Sequence, residues 1–135
     1  MATSEDVNRI ASSLPEVAES ATRDGLRQWR VKDKLMVWER PLRHADYEAL
    51  GEDAPQGPIL GVRVPDLVAK EALLAEEGEV IFATPHFDGY PAVLVQLDQI
   101  TITELKELIV DAWVTQAPKR LVGEWEESRD KQVGP

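Results

Sequence analysis

An α+β domain built on an antiparallel sheet is what this sequence predicts, and three features carry the expectation. Two strand-like segments, 27–31 and 34–40, close around the two-residue turn Lys32-Asp33. Two more, 79–84 and 92–98, flank the proline-bracketed run Thr84-Pro85-His86-Phe87-Asp88-Gly89-Tyr90-Pro91. Between Thr101 and Gln116, Leu105, Leu108, Ile109 and Ala112 recur at helical spacing behind a Thr101/Glu104 capping-box pattern.

The remaining elements follow in order along the chain. Thr3 with Asp6 three residues on is an N-cap pattern, and Val7, Ile10, Ala11 and Leu14 make one apolar stripe that Pro15 ends. Residues 16–26 read as a loop. A two-residue turn then pairs Val31 with Lys34, Trp29 with Met36 and Arg27 with Trp38, so that both tryptophans are expected on the buried face of the hairpin. Gln28, Arg30, Leu35, Val37 and Glu39 fall on the other face. Residues 41–58, rich in Gly, Pro and acids, read as a long loop with one helical turn near 45–50. A strand over 59–64 comes next, followed by a helix that Asp66 caps and that ends near Ala75, before Gly78. Past the stop at Pro118, Leu121, Val122 and Trp125 suit a short docked helix, with residues 128–135 expected to fray. The expected organisation is one domain over 1–121 and a charged tail over 122–135.

Composition narrows the chemistry. The 135 residues, 43% hydrophobic and 30% charged, suit one soluble core, and no apolar run reaches the roughly 18 residues that a membrane span needs. The first eight residues are polar and acidic, unlike a secretory signal, so a cytoplasmic address is the expectation. With no cysteine, thiolate nucleophiles, disulfides and cysteine-ligated metals are excluded. A formal charge of −10 repels polyanions unless cations are segregated. They are: residues 27–43 hold Arg27, Arg30, Lys32, Lys34, Arg40 and Arg43 against Asp33 and Glu39, whereas residues 66–111 hold only Lys70 and Lys106 against ten carboxylates.

Candidate reactive groups are few. His44-Ala45-Asp46 and His86-Phe87-Asp88 each put a histidine two residues from an acid, which in extended chain points both side chains one way and suits a shared divalent ion. Lacking a third ligand type, both pairs are read as turn-stabilising, with no metal and no cofactor expected. Ser12, Ser13 and Ser20 lie in or near the first helix and make no nucleophile elbow, and Gly51, Gly57 and Gly61 are spaced for neither phosphate fingerprint. Trp29 and Trp38 suit base stacking in principle, but their shared apolar face favours core packing. Glu71, Glu76, Glu77, Glu104, Glu107 and Asp111 are scattered as on a solvated surface.

Taken in order, Leu14-Pro15, Trp29-Arg30-Val31, Lys34, Trp38-Glu39-Arg40-Pro41, Thr84 to Pro91 and Ala112-Trp113 resemble the MmcQ/YjbR family over roughly 7–121. The resemblance implies a curved antiparallel sheet packed against helices in a CyaY/frataxin-like arrangement, with double-wing DNA binding as the family's inherited suggestion. With no catalytic constellation among the residues, a non-enzymatic protein is expected. Asp33 stands where relatives often carry glycine before Lys34, which implies a strained turn. The function expected on this basis is weak, salt-sensitive DNA binding through Arg27, Arg30, Lys32, Lys34, Arg40 and Arg43. The alternative is a small-molecule or protein-interaction module using the turn His86 to Tyr90, with His86, Asp88, Tyr90 and Trp38 as its residues.

Overall fold

A computed structural model describes residues 2–133. The chain runs α1 (Ser4–Ser12), β1 (Val17–Ala21), β2 (Arg27–Val31), β3 (Lys34–Glu39), α2 (His44–Leu50), β4 (Ile59–Arg63), α3 (Leu67–Glu76), β5 (Ile81–Phe82), β6 (Ala92–Gln96), α4 (Ile102–Gln116) and α5 (Lys119–Val133). Six antiparallel strands form one open sheet in the order β1-β2-β3-β4-β6-β5. This is the α+β fold the sequence predicts.

The helix signals act as their chemistry requires. Thr3 and Asp6 close a reciprocal capping box at α1, and the Asp66 carboxylate accepts from the Ala69 amide at 2.8 Å to start α3. The Thr101 hydroxyl accepts from Glu104 N at 3.1 Å to start α4. The inner face of the sheet, with Trp29, Val31, Met36, Leu60, Val93 and Val95, packs against Val7, Ile10 and Ala11 of α1 and against Leu105, Ile109, Ala112 and Trp113 of α4. All of these are buried.

The hairpin departs from expectation in one consequential way. Lys32 and Asp33 take φ of 49° and 68°, the left-handed pair of a tight hairpin turn, with no glycine to relieve it. Val31 pairs with Lys34 and Arg30 with Leu35 as a two-residue turn dictates, but Trp29 then pairs with Val37 and Gln28 with Trp38. Met36 is an extra residue, a β-bulge, and beyond it every side chain of β3 changes face. Met36 and Val37 both point into the core, while Trp38 moves to the outer face with Gln28. The expectation that Trp38 shares the buried face with Trp29 is thereby corrected.

Three further expectations need correction. Residues 17–21 are a strand rather than loop; β1 is an edge strand of which only Val17 touches the core, so it has no alternation to read. The strand expected over 79–84 shrinks to Ile81–Phe82, because Val80 N bonds back to Glu77 O and keeps residues 77–80 in a turn. The tail does not fray at 128: α5 continues to Val133, docked by Leu121, Val122 and by Trp125, whose ring lies 5.0 Å from that of Trp113. Residues 134–135 lie outside the described residues.

Candidate functional site

Beyond the bulge, the outer face carries a second, smaller apolar cluster. Ile59, Phe87, Ala92 and Leu94 are buried there, with Trp38, Leu42 and Phe82 packed against them. Trp38 pairs across the sheet with Gly61, and a Cβ at that position would stand 2.6 Å from the indole Cζ2 and 2.7 Å from Nε1. The missing side chain lets the indole lie down against the sheet. Gly61→Ala should therefore lift the ring and cost about 1–3 kcal/mol through overpacking; near-ultraviolet circular dichroism and a urea melt would record both, and an unchanged pair of readings would refute this seating of Trp38.

The connection from β5 to β6 forms one wall. Pro85–Phe87 make a single 3-10 turn, Phe87 plugs the outer cluster, and Gly89 takes φ 75° to bring the chain back. Lys70 of α3 fixes this turn from behind. Its side chain is buried, the residue only 7% exposed, and Nζ donates to Phe87 O at 2.6 Å and Tyr90 O at 2.9 Å. Burial holds the ammonium below the ordinary lysine range, against the opposing charge of Asp88. Lys70→Met should take the charged donor from two turn carbonyls, leaving Phe87 O only the Tyr90 amide at 3.0 Å and Tyr90 O only the Ala92 amide at 2.8 Å, at a cost of about 1–3 kcal/mol, and amide exchange of residues 84–90 should accelerate ahead of the rest of the sheet.

The opposite wall is the end of β3 and the start of α2. Arg40 Nη1 donates to Asp46 Oδ2 at 3.0 Å and to Pro41 O at 2.6 Å, and the two charged side chains are 6% and 3% exposed. Asp46 also accepts from the Arg43 amide at 2.9 Å. Burial pushes the Asp46 carboxyl up, but the Arg43 amide and the Arg40 guanidinium together hold it below its ordinary value. The guanidinium carbon of Arg40 lies 5.3 Å from the centre of the Phe87 ring, which joins the two walls.

Between the walls is a cleft of about 450 Å³ lined by Trp38, Arg40, Arg43, His86, Phe87 and Tyr90 among others. Three of the four residues expected at a pocket or turn, His86, Tyr90 and Trp38, thus meet at one place. Asp88 does not line it and stands exposed beside Lys70. Tyr90 is kept at the rim by Arg63, whose Nη1 donates to the phenol oxygen at 3.2 Å and whose guanidinium lies 5.1 Å over the ring.

The six expected nucleic-acid cations do not form one surface. Arg40 and Arg43 belong to the cleft, Arg40 being neutralised by Asp46. Arg27 is held at 2.6 Å by Glu19 and at 2.8 Å by Glu5 on the inner side. Arg30 and Lys32 line a separate shallow hollow with Glu16 and Asp33, where Lys32 is 3.5 Å from Glu16. Lys34 is exposed at the hairpin turn.

The two His-x-Asp pairs are split by their folds. Asp46 turns inward to Arg40 while His44 stays exposed, 2.9 Å from Glu48. Among the described residues no group of three or more His, Asp or Glu is placed to hold one metal ion. Melting temperature should be the same with and without a chelator, and a loss restored by zinc would reveal a site. Ser12 and Ser13 donate their hydroxyls within α1, to Asn8 and to Ile10 O.

The YjbR family model matches residues 12–115, a span that takes in the whole sheet, the cleft and nearly all of α4. The chain belongs to the YjbR family. Uncharacterized proteins of Mycobacterium bovis and Mycobacterium tuberculosis are each 56% identical to it over 125 residues, covering 90% of this chain and 94% of the relative. A crystal structure of a Deinococcus radiodurans protein with a DUF419 domain superposes with a TM-score of 0.60 at 19% identity, covering 84% of this chain and 78% of that one. At that identity the likeness speaks for the fold alone. Among the described residues of this YjbR protein no helix is long and apolar enough to cross a membrane.

Proposed function

We propose that this YjbR protein is a non-enzymatic binding module whose ligand seats in the outer-face cleft over Trp38. The observation that carries the reading is the bulge at Met36, which takes a tryptophan out of the core and lays it over Gly61 inside a concave site. An apolar floor with a few fixed polar groups is the usual make-up of a small-molecule site. Phe87, Lys70 and the Arg40–Asp46 pair hold both walls before any ligand arrives, so little ordering cost remains to be met on binding.

Duplex DNA is the second reading. It is supported by Arg30, Lys34 and Arg43, which have no carboxylate within ion-pair distance among the described residues. It is opposed by the charge of −10 and by the carboxylates beside Arg27, Lys32 and Arg40.

One pair of titrations separates the two, followed on backbone amides by NMR. Naphthalene- and indole-type fragments should shift residues 84–90, and Trp38→Ala should abolish the effect. A 20-base-pair duplex, if bound by the cations, should show log affinity falling with log salt at about −0.9 per phosphate, with a shallower slope in the Arg30→Ala, Lys34→Ala double variant. Fragment shifts that persist in Trp38→Ala would count against the cleft; an unchanged salt slope would count against DNA on this surface.

A further inference from the structure

We propose that the cleft takes a small planar monocarboxylate, its ring stacked on Trp38 and its carboxylate held by the guanidinium of Arg40. This rests on the cleft being the binding site. Both protein acceptors of Arg40, Pro41 O and Asp46 Oδ2, are on Nη1. Nε and Nη2 have no acceptor among the described residues, yet neither atom is sealed from solvent. The edge left over is the Nε–H/Nη2–H pair, two parallel donors that match the two oxygens of one carboxylate. Asp46, Pro41 and the Phe87 ring fix that edge in place, so it is a built donor rather than a mobile surface arginine.

Position selects the ring. Trp38 and Arg40 are two residues apart on the same face of an extended chain, about 7 Å along it. That span suits one flat aromatic system carrying its acid directly. Charge selects a single negative group: Arg43 adds a cation at the cleft, but Asp24 is also among its lining residues and Asp46 already offsets Arg40. A polyanion would meet Asp24 and the overall charge of −10, with Arg43 the one lysine or arginine among the cleft's described lining residues that has no carboxylate partner. Glu39 does not compete for the same donor, because its carboxylate accepts from Ser4 Oγ and Arg27 N.

The experiment compares 2-naphthoate, its uncharged isostere 2-naphthamide and inorganic phosphate by calorimetry, with the Trp38 indole resonance reporting the place of binding. In the wild-type protein 2-naphthoate should bind at least tenfold tighter than 2-naphthamide, with both shifting Trp38. Arg40→Lys, which keeps a charge for Asp46 but removes the fork, should bring 2-naphthoate down to the level of the amide while leaving the amide unchanged. Equal affinities in the wild type, a comparison that needs no variant, would overturn the carboxylate class while leaving the cleft intact. Binding of phosphate in preference to 2-naphthoate would overturn it too. If neither aromatic compound moves Trp38, the cleft reading fails with it.

Discussion

Asp46→Ala should destabilise the protein by about 3–5 kcal/mol, because it strands the buried guanidinium of Arg40 without its counter-charge and removes the acceptor of the Arg43 amide. The pH dependence gives the loss a signature. The folded carboxyl titrates below its ordinary value, so the stability it contributes is fully present above the unfolded value near about 4 and is lost as pH falls through the folded value. Urea melts of the wild type and Asp46→Ala should therefore differ by a constant amount between about pH 5 and 7 and converge in stronger acid. A difference that is small at pH 7, or that grows on acidification, would show that the Arg40 Nη1–Asp46 contact is solvated rather than buried in the cleft wall.

Ile109→Ala should cost about 2–5 kcal/mol, a comparable effect with a different cause. Ile109 is fully buried in the middle of α4, in the core that contains Trp29, Met36 and Leu60. Truncation removes apolar contact and leaves a cavity that a tightly packed helix and sheet can only partly close. Chemical denaturation measures it, and a loss under about 1 kcal/mol would contradict the assignment of α4 to the inner face. The same variant should keep its affinity for cleft ligands, since Ile109 lies on the opposite side of the sheet from Trp38.

Those two sites show what the sequence reveals and what it conceals. The helices are legible because capping chemistry is local: Thr3 with Asp6, Asp66 with Ala69 N and Thr101 with Glu104 N all act within three residues. Strand β1 is not, because an edge strand that is open on one face needs no apolar alternation. The face of Trp38 is concealed for a subtler reason. Leu35-Met36-Val37-Trp38 is apolar throughout, so nothing in it marks where one extra residue shifts the register.

The candidate site divides the same way. His86, Tyr90 and Trp38 announce themselves as aromatic or titratable groups near turns, but their meeting depends on β6 inserting between β4 and β5, a tertiary fact. Lys70 looks like any solvated helix lysine until the Phe87 and Tyr90 carbonyls close on it. Gly61 has no local turn to explain it; its reason is the indole across the strand. Arg63 lies outside the basic run of 27–43 and is recruited by Tyr90 alone.

The most direct test of the outer-face cleft as the binding site is a crystal structure of the protein grown with 2-naphthoate. The expected result is electron density for the ring against the Trp38 indole, with its carboxylate within hydrogen-bond distance of Arg40 Nε and Nη2 and the wall from Thr84 to Tyr90 unmoved. A Trp38 indole packed beneath α4 beside Trp29, or density for the compound elsewhere with this cleft left open, would contradict it.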